Sequence, residues 1–298
     1  MTTVHIDTCP VCGNNKFTDK LKYKDYLASG EEFTILECDK CGFAFTQNFP
    51  SEDVIGRYYD APEYVSHSDT QKGFINTLYH IVRKITLKSK SKLVIKNSGI
   101  AKGEILDIGT GTGYFLNRMK ECGWTVTGIE KEESAREYAK DKFGMNFHES
   151  EHLFNITAES KNAVSMWHVL EHVEQLNETM SAIRRILKPD GTAIIALPNK
   201  KSADANCYKK YWAAYDVPRH LWHFSPEDFR TLAEKHGFSV IKMKPMYFDV
   251  FYISLLSEKN KKTILASLVG LIKGGFLFLQ SLSGITKCSS VVYILKKN

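Results

Sequence analysis

At 298 residues, with 43% apolar and 25% charged side chains, the chain is long enough for one large α/β domain plus a small module, and its composition excludes a disordered or low-complexity polypeptide. The opening MTTVHIDTCP has neither a basic start nor an apolar stretch, so a secretory leader is not expected and a cytoplasmic location is. The net charge of +6 suits an anionic substrate or surface without demanding one.

Residues 1–48 are turn-rich and carry two knuckles, Cys9-Pro-Val-Cys12-Gly and Cys38-Asp-Lys-Cys41-Gly. Without a leader, paired Cys-x-x-Cys turns point to metal rather than disulfides. Four thiolates make a closed tetrahedral site, so a structural zinc ion on Cys9, Cys12, Cys38 and Cys41 is expected, with a β-hairpin between the knuckles. Cys122, Cys207 and Cys288 are scattered and carry no expected role. Residues 49–69 form a polar, Tyr-rich connector. Residues 70–97 predict a basic helix, with Phe74, Leu78, Ile81, Ile85 and Val94 near helical spacing.

A strand–helix alternation follows. EILDIG predicts a strand, YFLNRMKECG a helix stopped by Gly123, TVTGIE a strand, and KEESAREYAKDKFG a helix with an acidic first turn. MNFHES is a weaker third strand and AVSMWHVL a fourth. A helix around TMSAIRRILKPDG leads into a fifth strand, TAIIALPN. SPEDFRTLAEKHGF has a Ser cap, an N1 proline and a glycine stop, and SVIKMKPM and SVVYILKK complete the set. Such an order predicts a largely parallel sheet covered on both faces.

The run from Glu104 to Gly113 is a strand entering a G-x-G-x-G turn and a helix. Its glycines allow close backbone approach to a ligand, and the helix N-terminus can hold an anion. The spacing differs from the G-x-G-x-x-G of dinucleotide folds. Glu130 ends the next strand, where a carboxylate can take both hydroxyls of a ribose.

On these residues the chain resembles the Rossmann-like S-adenosylmethionine-dependent methyltransferases. ILDIGTGTGYFL resembles their first motif, AVSMWHVLEHV the fourth-strand motif, and LKPDGTAIIALPN the turn and fifth strand, over roughly residues 100–245. The resemblance implies an α/β, seven-stranded sheet with a small zinc-ribbon-like N-terminal module. It implies that Asp107, Gly109, Thr110 and Gly111 line the methionine end of S-adenosylmethionine, with Glu130 on the ribose. Glu149 or Ser150 would lie beside the adenine, and Trp167 and His168 would flank the sulfonium. YYDAPEYVSH and YDVPRHLWHFS also resemble segments of sugar and secondary-metabolite methyltransferases, which implies that Tyr64 and His67 fold over the cofactor.

Methyl transfer needs an aligned acceptor and usually a base, for which histidine is suited near neutral pH. His168, His172, His220 and His223 are candidates. His220 is preferred and His168 comes next, while His172, after Glu171 at an expected helix start, suits a structural role. Tyr215 belongs to the same cluster. Arg219 could clamp an acceptor carboxylate or phosphate, or pair with Asp216.

Residues 250–289 interrupt an expected final hairpin with an apolar stretch broken by Lys273, Gly274 and Gly275. A buried helix pair or a lid ranks above peripheral membrane contact through 260–282. The expected divisions are therefore 1–48, 49–97 and 98–298. The leading function is methyl transfer to a sugar, lipid-linked or metabolite acceptor at oxygen or carbon. RNA methylation, with the zinc module gripping RNA, is the alternative, although the fourth strand lacks the run used by base-nitrogen methylating enzymes and the aromatic interleaving of a single-strand groove is missing. A degenerate, purely binding fold conflicts with the intact glycine loop. Oligomeric state is open.

Overall fold

A computed structural model describes residues 3–59 and 74–298, apart from the side chains of 74–82. Tyr64 and His67 lie outside the described residues. The N-terminal part contains β1 (Thr3–Val4), β2 (Phe17–Lys24), β3 (Glu32–Cys38), β4 (Ala44–Gln47) and β5 (Phe49–Pro50). The expected hairpin between the knuckles is β2–β3. Helix α1 (Phe74–Ser98) precedes the alternating elements β6 (Glu104–Ile108), α2 (Tyr114–Glu121), β7 (Thr125–Ile129), α3 (Glu133–Phe143), β8 (Lys161–Trp167), α4 (Leu176–Ile186) and β9 (Leu187–Pro198). Then come α5 (Ala203–Tyr208), β10 (Trp222–His223), α6 (Pro226–Lys235), β11 (Phe238–Pro245), α7 (Asp249–Asn260), α8 (Ala266–Ser281) and β12 (Ser290–Lys297).

The central sheet has the order β11-β12-β9-β8-β6-β7. Strands β7, β6, β8 and β9 are parallel, and β12 runs antiparallel between β9 and β11. Among the described residues it therefore has six strands, not seven. The expected third strand, MNFHES, makes a single parallel bridge, Ile129 to His148. The chain then enters a 3₁₀ turn at Ser150–Asn155, too soon to extend a ladder along the outer edge of β7.

Helix ends follow the sequence signals. Ser225 and Asp228 form a reciprocal capping box on α6 with Pro226 in its first turn. Gly144 stops α3 in the left-handed conformation. In α1 the apolar stripe is only partly used: Val94 is fully buried but Ile85 is exposed.

The N-terminal sheet has the order β10-β4-β3-β2, so its last strand comes from the segment after β9. Phe43 lies 6.2 Å from Trp222 and 5.4 Å from Phe224 between ring centroids. Cys9, Phe43 and Phe45 share one continuous core with Leu197, Phe229 and Tyr293. The knuckles are thus built into the same body as the central sheet.

The interruption between β11 and β12 is a helix pair, α7 and α8. It is not a buried pair, because only α7 and the small-residue side of α8 are covered, while most large apolar side chains of α8 are exposed.

Candidate active site

The four parallel strands end along one edge, where open α/β sheets bind ligands. There the loop after β6 folds back over β7: the Ile129 carbonyl accepts from the amides of Gly109 (2.8 Å) and Thr110 (3.0 Å). The glycines have different duties. A Cβ at Gly109 would lie 2.3 Å from a Val169 methyl, so this residue lets the loop pack on the segment after β8. A Cβ at Gly111 would meet nothing within 4 Å, which leaves that backbone open to a ligand. Glu130 Oε2 accepts from the Gly111 amide (2.6 Å) and Oε1 from the Glu132 amide (3.0 Å). Each oxygen keeps a lone pair for an incoming hydroxyl.

Asp107 is buried below this loop, accepts from Ser165 Oγ at 2.5 Å, and is pushed up to about 7 by that burial. Lys90 of α1 points its ammonium at the Trp167 ring, 4.3 Å from the centroid, and burial lowers its pKa. Trp167 Nε1 is buried without a hydrogen-bond partner. Glu149 stands apart from this cluster: its side chain is 70% exposed and paired with Arg136 at 3.1 Å. Ser150 opens the turn beside it.

On the acceptor side, His168 has a left-handed φ of 59° and lies between two carboxylates, Glu171 Oε1 at 3.4 Å and Asp249 Oδ2 at 3.2 Å. Burial would lower its pKa, but the two anions raise it to about 9. The two carboxylates favour the imidazolium form of His168, which weighs against the expectation that it serves as a base. Glu171 is wholly buried, and its carboxylate is held by the His168 ion pair rather than by well-formed hydrogen bonds. Burial pushes its pKa up, and the His168 cation outweighs that and holds it below the usual carboxylate value.

His172 stands beside this group, in contacts of the structural kind. Its Nδ1 lies 3.0 Å from the Arg219 carbonyl and 3.1 Å from the Tyr59 hydroxyl. Burial lowers it to about 4, so it stays neutral. The His172 and His220 rings meet edge to face at 4.5 Å. His220 donates from Nδ1 to the Ala214 carbonyl at 2.8 Å, which leaves Nε2 as the acceptor nitrogen. One polar atom each of Glu171, His172 and His220 lies within 4.8 Å of the others.

Three further expectations change. Arg219 is buried and committed: Nε and Nη2 bind Asp216 (2.7–3.1 Å), Nη2 binds Asp25 (2.9 Å) and Nη1 binds the Tyr58 carbonyl (2.7 Å). The ion-pair reading replaces the acceptor clamp. Tyr215 is buried in an aromatic cluster with Tyr23, Trp212 and His223, and burial pushes its phenol up to about 12. His223 lies in β10 against Thr46 Oγ1 (3.0 Å), with burial holding it neutral.

The N-terminal sheet holds the His220 segment directly. Thr46 donates its amide to the Leu221 carbonyl (2.9 Å) and its hydroxyl to the His220 carbonyl (2.8 Å). Glu171, Asp249, Lys90 and Tyr59 were not singled out from sequence. Only Glu171 had a local signal, as an acid inside the apolar run VLEHV.

The four knuckle thiols converge, with Cys9–Cys41 and Cys12–Cys38 sulfur pairs each 3.6 Å apart. Four sulfurs at ~2.3 Å from one zinc ion stand roughly 3.8 Å apart, so the donor set and spacing fit that ion. Gly13 and Gly42 take the left-handed turn after each knuckle.

Comparison with known proteins agrees with this geometry. A family model described as a methyltransferase domain matches residues 82–243, more than half of the chain. The ubiquinone biosynthesis O-methyltransferase of Rickettsia canadensis (strain McKiel) is 25% identical over 201 residues, 63% of this chain and 85% of that protein. The demethylmenaquinone methyltransferase of Chlorobaculum parvum (strain DSM 263 / NCIMB 8327) is 26% identical over 196 residues, 58% of this chain and 80% of its own length. In fold, the chain is similar to the geranyl diphosphate C-methyltransferase of Streptomyces coelicolor A3(2), with a TM-score of 0.53, 12% identity, and 80% and 87% of the two chains covered. The chain belongs to the methyltransferase-domain family and is an S-adenosylmethionine-dependent methyltransferase.

Proposed function

We propose that this family member methylates an oxygen or carbon atom of a small sugar, lipid-linked or metabolite acceptor, with His220 as the base. The observation that carries the reading is the His220 orientation: Nδ1 donates to the Ala214 carbonyl, so in the neutral ring Nε2 is the nitrogen that accepts a proton, and the side chain stands in a cluster with the buried Glu171 carboxylate. The names of the quinone-pathway relatives, one of them an O-methyltransferase, support a metabolite acceptor.

S-adenosylmethionine supplies an electrophilic methyl group on a sulfonium. Gly111 leaves room for it, Glu130 offers oxygens to its ribose, and Asp107 and Lys90 set the charge beneath the loop. His220 Nε2 would take the acceptor's proton as the acceptor bonds to the methyl carbon and the methyl–sulfur bond breaks, so that a neutral thioether leaves and the positive charge ends on the imidazolium. Glu171 then faces that imidazolium in a site of low dielectric. His168, already a cation, keeps Glu171 ionised and ties it to Asp249 of α7. Cys9, Cys12, Cys38 and Cys41 would hold one structural zinc ion, and the sheet they anchor steadies the His220 segment.

The test is methyl transfer from labelled cofactor to a panel of nucleotide sugars, hydroxylated quinone precursors, lipid-linked sugars and total RNA. His220→Asn should lower turnover about 100-fold or more while cofactor affinity stays nearly constant. Full turnover by this variant would remove His220 from the mechanism, and transfer to RNA alone would overturn the acceptor class.

A further inference from the structure

Helix α8 is packed the wrong way round for a helix that serves only the core. Its covered side consists of Gly270, Gly274, Leu277 and Ser281. Two of these are glycines because the helices nearly touch: a Cβ at Gly270 would lie 2.8 Å from the Leu255 backbone, and one at Gly274 would lie 3.0 Å from Phe251. Facing away are Leu265, Leu268, Ile272, Phe276, Leu279 and Leu282, all more than half exposed. Their spacing of three and four residues makes one stripe along the helix. A soluble surface normally reverses this arrangement, with large apolar residues inside and polar ones outside. A contiguous apolar stripe of this kind marks a contact surface.

The charges around the stripe identify what covers it. Between residues 250 and 289 the single acidic side chain is Glu258. It is buried and bound by Lys273 at 2.6 Å. Lys259, Lys261, Lys262 and Lys287 are all exposed. Apolar residues flanked by cations and no exposed acid match the boundary of an anionic bilayer, where lysines meet headgroups and leucines enter the acyl edge. A second copy of the chain packed on this face would bring the same lysines together, which opposes association. No helix among the described residues is long and apolar enough to cross a membrane, so α8 would lie in the surface plane.

We propose that the outer face of α8 docks on the surface of an anionic lipid bilayer. Because α7 carries both the packing surface for α8 and Asp249, the contact to His168, the bound membrane lies one helix layer from the acceptor site. Delivery of a lipid-linked acceptor would follow, and only that last step rests on the function proposed above.

The experiment is flotation of the full chain with phosphatidylcholine–phosphatidylglycerol vesicles and with pure phosphatidylcholine vesicles, at low and high salt. No methyl transfer is read, so a failure of the acceptor assignment leaves the result intact. The wild type should bind the anionic vesicles at least about tenfold better than the neutral ones, and lose that advantage in high salt. The combined Leu268→Ser, Ile272→Ser and Phe276→Ser variant should bind about tenfold or more weakly. Its thermal melt should match the wild type, because these side chains are exposed. Lys261→Gln with Lys262→Gln gives an independent arm and should reduce binding to anionic vesicles alone. Absence of vesicle binding by the wild type would overturn the proposal, as would binding that neither variant changes. A dimer in sedimentation velocity that the triple variant dissolves, without vesicle binding, would assign the face to a second copy instead.

Discussion

Replacing Arg219 by methionine separates the two roles that its sequence position allowed. The side chain is 1% exposed and joins Asp25 of the N-terminal part to Asp216 and the Tyr58 carbonyl. Breaking a buried ion pair from one side costs about 3–5 kcal/mol, chiefly through the charge left behind. The structure points to the lower end of that range. Asp25 keeps four other donors, the amides of Leu27, Ala28 and Ser29 and the Ser29 hydroxyl, and Asp216 is 23% exposed, so water reaches it. A loss of ~3 kcal/mol corresponds to a fall in melting temperature of roughly 5 °C for a chain of this size. Turnover should fall as well, because the Arg219 carbonyl accepts from His172 and the next residue is His220. Arg219→Lys should lose about half as much stability, since an ammonium lacks the fork that reaches both carboxylates. The assay is thermal unfolding alongside Michaelis–Menten kinetics. An unchanged melting temperature with a raised acceptor KM would refute the buried-network account and restore the acceptor clamp.

The His168 site gives a pH signature. Its folded pKa, about 9, is above the unfolded value, so its stabilisation is complete below ~6.5 and is lost as pH rises through about 9. With its side chain about one-third exposed, that is worth about 1–2 kcal/mol after screening. Asp249→Asn should flatten the loss seen in melts between these two pH values. For the cofactor loop, Gly109→Ala should mainly cost stability by driving a methyl into Val169, whereas Gly111→Ala should mainly weaken S-adenosylhomocysteine binding in calorimetry. Equal effects of the two substitutions on both readouts would contradict the different roles assigned to them. Elemental analysis should find about one zinc ion per chain. Chelation should loosen the N-terminal sheet and, through Thr46 and β10, the His220 segment, abolishing turnover; full activity in metal-free protein would contradict that linkage.

The contrast among these residues shows which parts of the site a sequence can convey. The placement of the glycine loop, of Glu130 just past β7 and of the four converging thiols was legible because each depends on neighbours within a few positions: a tight turn, a strand end, a pair of thiols. The hairpin between the knuckles and the capping box on α6 have the same local origin. MNFHES failed as a strand because its alternation satisfies packing, whereas pairing depends on how long the chain stays beside β7. Arg219 was ambiguous for a related reason. One partner, Asp216, is three residues away, but Asp25, which completes its burial, is 194 positions distant. His168 looked like a base since nothing nearby in sequence places Asp249 against it, and that carboxylate joins Glu171 in raising its pKa against burial. In α8, an apolar run suggested burial, yet Gly270 and Gly274 decide which side is covered, because only they allow α7 so close. The residues at the proposed reaction centre are thus held by partners from the N-terminal sheet and from the α7–α8 insertion. Substitutions at Thr46 or Asp249 should therefore disturb catalysis as surely as those beside the glycine loop, although neither residue lies in a recognisable motif.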